Sequence, residues 1–340
     1  MKANRWLMFT GSLLLVGIAA VVTTSYWMDL FGLFHNPAGR VLSVNDNVRT
    51  SKFLLNERYV PTNFDGVLIG GSSTMNWDLT KLDFARFYNE SIAGANVLEE
   101  KRLVDQALPN AHFKYAVCLI SASFVRGHVF NEGNGKPTHR EALGSVNVLR
   151  EELASVLNRV RHAPPRYYPN GSEDIVAPVR LNLPLSSESF SVDPVALEAY
   201  RDLLNELRQR GVKIIFLRAP YYGPLYNRDQ RLYDSFYASF PLRLPGEPMV
   251  DFGGSKYSAL RENAENWNSV GHLSHNGGIQ AAADLNAEIH RVVPGLASEW
   301  TSASLQNPVQ NENRERDQRS AGEKFNRRPV GVKDASSGAP

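Results

Sequence analysis

Short apolar runs recur along this chain, with helical stretches between them. GVLIG (66–70), FYNESI (87–92), YAVCLIS (115–121), VKIIFLRAP (212–220) and PMVDFG (248–253) each read as a buried strand. EEKRLVDQAL (99–108), VALEAYRDLLNELRQRG (195–211) and GGIQAAADLNAEIHRVV (277–293) carry apolar residues at helical spacing, and Gly211 supplies a C-terminal stop. Strands that alternate with helices of this length imply an α/β fold with a parallel sheet covered on both faces. Ligands of such sheets sit at the carboxyl ends of the strands.

The N-terminus sets a second constraint. No charged residue occurs from Trp6 to Met28, and LMFTGSLLLVGIAAVV is almost wholly apolar. That length crosses a bilayer as one helix of roughly 20 residues. Trp6 at one end, and Tyr26 and Trp27 at the other, suit the two interfaces, while Lys2 and Arg5 favour an N-terminus inside. A cleaved signal peptide is the rival reading, but its apolar region is usually shorter, and no clear small-x-small site follows Val22. The expectation is a single-pass transmembrane anchor over 1–28 in the inner (cytoplasmic) membrane, with the remainder periplasmic or extracellular.

Residues 29–60 then read as a connector with a short helix in NVRTSKFLLNERYV, and 61–300 as the α/β domain. The pattern is poor over about 124–194, an insertion with one helix, SVNVLREELASVLNRV (145–160). Over 301–340 the chain is polar with Phe325 as its only aromatic residue, so it cannot bury enough apolar area to fold and is expected to be disordered. The net charge of +2 gives no strong pull toward nucleic acid, and none is expected as a partner. Cys118 is the single cysteine, which excludes an internal disulfide.

The stretch VLIGGSSTMNWD (67–78) places Ser72 after two glycines at the end of the first strand. Read with a helix to follow, Ser72 or Ser73 is either that helix's cap or a nucleophile at the positive end of its dipole, with free N–H groups nearby for an oxyanion. A serine nucleophile needs a base, which can come from far along the chain. ENWNSVGHLSHNGG (265–278) offers His272 in a loop before the last helix.

Together, IGGSSTMNW and GHLSHNG resemble the SGNH/GDSL hydrolases, most of all the membrane-anchored members found with bacterial exopolysaccharide and cell-wall acylation systems. The resemblance covers roughly residues 60–295 together with the anchor. It implies a three-layer α/β/α sandwich, Ser72 as nucleophile, His272 as base and the Gly94 amide in SIAGAN as an oxyanion donor, with Asn96 as a further candidate. It implies O-acetyl transfer to, or removal from, an extracellular polysaccharide, with no cofactor and with envelope biosynthesis subunits as partners. The sequence departs from the family in two places. Ser269 stands where the triad acid should, three residues before His272, and Ser121 and Ser123 replace an amide or acid after the third strand. Asn268, Asp251 or Glu265 could orient the imidazole instead. A non-catalytic polysaccharide-binding or scaffold subunit is therefore the alternative function. A general lipase or esterase would want an exposed apolar acyl pocket, and nothing in the sequence points to one.

Three weaker features complete the reading. His272 and His275 have a spacing that could share a metal, but no third ligand accompanies them, and none is expected to be bound. Asn170-Gly171-Ser172 fits a common glycosylation pattern. The aromatic residues of YYGPLY (221–226) could stack on sugar rings or simply pack.

Overall fold

The computed structural model describes residues 2–35, 48–125, 142–143, 146–161, 167–173, 179–184, 190–293 and 296. Five strands form one sheet: β1 (Gly66–Ile69), β2 (Phe87–Asn89), β3 (Tyr115–Leu119), β4 (Lys213–Arg218) and β5 (Met249–Asp251). Their order is β2-β1-β3-β4-β5, and every neighbouring pair is parallel. The helices are α1 (Lys2–Met28), α2 (Val48–Asn63), α3 (Val97–Ala107), α4 (Val146–Val160), α5 (Pro194–Gln209), α6 (Gly223–Ala238), α7 (Ser258–Glu262) and α8 (His275–Val292). A small antiparallel pair, β6 (Trp267–Ser269) and β7 (His272–Leu273), precedes α8.

Side chains of successive strand residues point to opposite faces, and here both faces are covered. Val67, Ile69, Ala116, Cys118, Ile214 and Phe216 join one apolar cluster with α2, α3, α5 and α6. The alternate positions Leu68, Val117, Leu119, Ile215, Leu217 and Val250 join a second cluster with α7 and α8. The result is a three-layer α/β/α sandwich, as the strand–helix alternation implies. The central strands β1 and β3 look continuously apolar because neither of their faces meets water.

Helix α1 is long and apolar enough to cross a membrane, a property an N-terminal signal sequence shares. Its end is tied into the fold. The Asp29 carboxylate accepts the backbone N–H groups of Leu33 (2.7 Å), Phe34 (3.2 Å) and His35 (2.8 Å). That turn drives Leu30, Phe31 and Leu33 into the first cluster. Residues 29–35 and α2, read from the sequence as a connector, thus contribute directly to the core. Of the 124–194 insertion, α4 matches the expected helix, and much of the remainder lies outside the described residues, as does all of 301–340.

A buried ionic cluster sits under the β2–α3 loop. Lys52 of α2, Glu90 and Glu100 are all buried, and Lys52 Nζ donates to the carbonyls of Asn89 (2.5 Å) and Ser91 (2.9 Å). Burial pushes Lys52 down to about 8 and Glu90 up to about 7, against their mutual attraction, and it raises Glu100 as well. Removing one member leaves uncompensated polar groups behind. Lys52→Met is expected to cost about 3–5 kcal/mol, read as a lower midpoint in urea unfolding of the full chain.

Candidate functional site

Ser72 follows β1 through Gly70 and Gly71, and no long helix follows it. Residues 72–76 form a chain of turns, closed by Thr74 N–H to Gly71 O (3.1 Å) and Trp77 N–H to Thr74 O (3.3 Å). Only a three-residue 3-10 helix, Leu79–Lys81, comes next, and Asp78 caps it. This corrects the expected helix, and with it the dipole reading of Ser72. The cause lies in the polar side chains, which bond outward rather than continue a helical ladder. Thr74 Oγ1 lies 2.8 Å from Ser91 Oγ, Asn76 Nδ2 donates to Leu273 O (2.5 Å), and Trp77 is wholly buried. The capping reading fails for the same reason. Neither Ser72 nor Ser73 accepts a backbone N–H among the described residues.

Gly70 is required by close approach, since a Cβ there would strike Thr74 Oγ1. Gly71 faces the β2–α3 loop, with a Cβ position 3.6 Å from Ala95 O. The Ser72 turn and the Gly94 loop are therefore neighbours. Gly94 has φ of 71°, the left-handed region, and its neighbour Ala95 donates to Ile92 O (3.2 Å). The backbone N–H groups of Ser72 and Gly94 donate to no other described residue. Asn96 instead caps α3, its Oδ1 accepting from Glu99 N–H (3.2 Å).

His272 lies on β7, beside the Ser72 turn. Asn76 makes the link, bonding Leu273 O next to His272. Gly277 and Gly278 complete the docking, because a Cβ at either would overlap Asn266 O or Asn76 O respectively. Ser274 caps α8, its Oγ accepting from Gly277 N–H (3.2 Å), and His275 is simply the first helical residue.

Ser269 does reach the imidazole. Its Oγ lies 2.6 Å from His272 Nδ1, so a hydroxyl occupies the place expected of a triad acid. Among the described residues, no carboxylate lies within 4.0 Å of either ring nitrogen of His272. Asp251 is engaged elsewhere, accepting Gly253 N–H (2.7 Å) and pairing with Arg218 (3.4 Å). Asn268 is buried and its carbonyl accepts Arg180 N–H (2.6 Å). No hydrogen bond joins Ser72 Oγ to His272 Nε2 in this structure. Catalytic hydrogen bonds often tighten only around a substrate.

Other loops at the carboxyl ends of the strands close on the same region. After β3, Ser121 Oγ bonds Ser123 Oγ (2.8 Å) and Tyr221 OH (3.4 Å). Tyr222 N–H donates to Val270 O (3.1 Å), tying the β4–α6 loop to the His272 hairpin. Both tyrosines pack, Tyr221 on Tyr233 and Tyr222 on Trp267, and each keeps a partly exposed edge.

A strap from the insertion was not anticipated. Asn170 O accepts Asn89 N–H (2.7 Å), Ser172 Oγ donates to Trp77 O (2.7 Å), and Glu173 N–H donates to Met75 O (2.8 Å). Asn170 and Ser172 are buried, so the glycosylation pattern is a structural turn, with Gly171 at φ 80° against Asn89 O. Only the Asn-Gly pair, a turn signal, marked it in the sequence.

No family model and no curated protein matches the chain. A solved structure, the lipase/acylhydrolase from Enterococcus faecalis, aligns over 66% of this chain and 94% of that chain, with 14% identity and a TM-score of 0.31. Likeness at that level carries no argument about activity.

Burial holds the His272 imidazole below its usual value of 6.5, so the folded state prefers the neutral ring. Its contribution to stability is therefore complete above 6.5 and is lost as the pH falls through the lowered value. An NMR titration of the full chain is expected to place His272 below 6.5. Ser269→Asp, by setting a carboxylate on Nδ1, is expected to move that titration upward.

Proposed function

We propose that this chain is a membrane-anchored serine acyl-transfer enzyme. The observation that carries the reading is that the Ser72 turn lies against the Gly94 loop and is bonded through Asn76 to the strand of His272, whose Nδ1 bonds Ser269. Ser72 Oγ attacks the carbonyl of an acyl ester, and His272 Nε2 takes its proton. The N–H groups of Ser72 and Gly94 hold the oxyanion. Collapse expels the alcohol, which leaves with the proton from His272, and the acyl group stays on Ser72. Water or a second hydroxyl then attacks the acyl carbon, giving its proton to His272; the Ser72 Oγ–acyl bond breaks, the acid or new ester leaves, and His272 returns the proton to Ser72.

This role needs the tautomer in which Nδ1–H donates to Ser269 Oγ and Nε2 carries the lone pair. A hydroxyl both donates and accepts, so Ser269 orients the ring without selecting that tautomer, and it stabilises the imidazolium less than a carboxylate does, so a slow enzyme is expected. The substrate class follows the SGNH/GDSL resemblance of IGGSSTMNW and GHLSHNG: O-acetyl groups on an extracellular polysaccharide, with transfer favoured over hydrolysis. The anchor would hold the domain on the periplasmic or extracellular side of the inner membrane, beside other envelope biosynthesis subunits.

A second reading has its own support. The hydroxyl at Nδ1 and the missing Ser72–His272 hydrogen bond suit a polysaccharide-binding or scaffold subunit that has kept the shape of the site without its chemistry.

One experiment separates the two readings. Full-length protein in detergent is assayed with a chromogenic acetyl ester and with a fluorophosphonate probe. Acyl transfer requires turnover that Ser72→Ala and His272→Ala each lower by about 10³-fold, with probe labelling lost in Ser72→Ala. Wild type no faster than Ser72→Ala, with no labelling, rejects the enzyme and leaves the binding role.

A further inference from the structure

The last turns of α1 do not stand free of the domain. Val21 and Met28 are half-buried and Ser25 is buried, three positions on one helical face, while the other faces of α1 are exposed. Helix α4 packs there, with Ser25 Oγ donating to Glu152 Oε2 (3.2 Å). Val148 and Glu152 form the buried side of α4. Its outer side carries Leu153 (57% exposed), Leu157 (50%) and Val160 (72%), aligned at helical spacing. Exposed Arg150 and Arg161 continue the same row at its two ends.

We propose that α4 is an interfacial helix, with this apolar row seated in the headgroup–acyl boundary of the membrane that α1 spans. The depth of α4 along α1 supports that occupant. Ser25 lies 20 positions after Arg5, a rise of about 30 Å and the thickness of the hydrocarbon core. Ser25 also immediately precedes Tyr26 and Trp27, the aromatic pair at the outer boundary. A helix packed at that level carries its exposed leucines at the depth of the acyl chains. Arginines bracketing such a row reach anionic headgroups with their tips. The insertion would then fix how the catalytic domain sits over the bilayer, which a lone anchor leaves free to swing.

The inference rests on α1 spanning the bilayer, and its test reads that separately. Full-length protein is reconstituted in vesicles of phosphatidylcholine and phosphatidylglycerol. Nitroxide labels are placed through Leu153→Cys and Leu157→Cys, with Val16→Cys in α1 and Val195→Cys on α5 as references. Cys118 is fully buried and escapes labelling. Collisions with oxygen and with a water-soluble nickel chelate are compared. Labels at 153 and 157 are expected to be oxygen-rich and nickel-poor, several-fold above Val195 in that ratio and toward Val16. If they match Val195 while Val16 is lipid-exposed, the interfacial helix is overturned and the anchor stands. Shielding from both reagents means that protein covers α4, which also overturns it. A nickel-accessible Val16 removes the anchor and the proposal together.

Discussion

The site depends first on one hydrogen bond. Asn76 Nδ2 donates to Leu273 O, joining positions 197 residues apart. It holds the turn that carries Ser72 against the strand that carries His272. Two local features make that approach possible: the bare backbone of Gly278 against Asn76 O, and Ser274 turning the chain into α8. A nucleophile and a base are useful only at fixed separation, and a misplacement of about 1 Å can cost 10²-fold. Asn76 supplies the fixity from the sheet side, and Ser269 supplies it on the imidazole.

The Gly94 loop is held differently. Lys52 reaches from α2 to the carbonyls of Asn89 and Ser91, at the start of the loop that carries Gly94. Asn89 in turn bonds the Ser72 turn through Thr74 O (2.9 Å), and the Asn170–Ser172 strap closes over both. A buried charge is costly, and this one satisfies carbonyls that a sheet edge would otherwise leave without donors. The helix that contributes it, α2, packs in the same apolar cluster as Leu30, Phe31 and Leu33, which follow the apolar helix α1.

The sheet was legible because its central strands, buried almost throughout, write themselves as largely apolar runs, and the helices between them as amphipathic ones. Ser72 and His272 were singled out from glycine and loop context, and the spacing of Ser269 to His272 matches the hydrogen bond between them. The helix after Ser72 was misread because Thr74 and Asn76 find their partners in Ser91 and Leu273, far away in sequence. The Asn170–Ser172 strap left only a turn signal for the same reason: its contacts are all with distant backbone. Local pattern reports burial and turns, whereas these polar contacts are set by tertiary neighbours.

The Ser269 hydroxyl at Nδ1 of His272 is the most informative feature of the candidate site. A carboxylate would both orient the ring and balance its charge, whereas a hydroxyl orients it only. Under the proposed function, orientation must suffice for covalent catalysis through Ser72. The most direct test quenches the full-length protein during turnover of an acetyl ester and maps acetylated peptides by mass spectrometry. An acetyl group on Ser72, absent when His272 is replaced by alanine, is the expected result. Turnover with acetyl on another residue, or with no acetylated peptide accumulating even when hydrolysis is slowed, would contradict it.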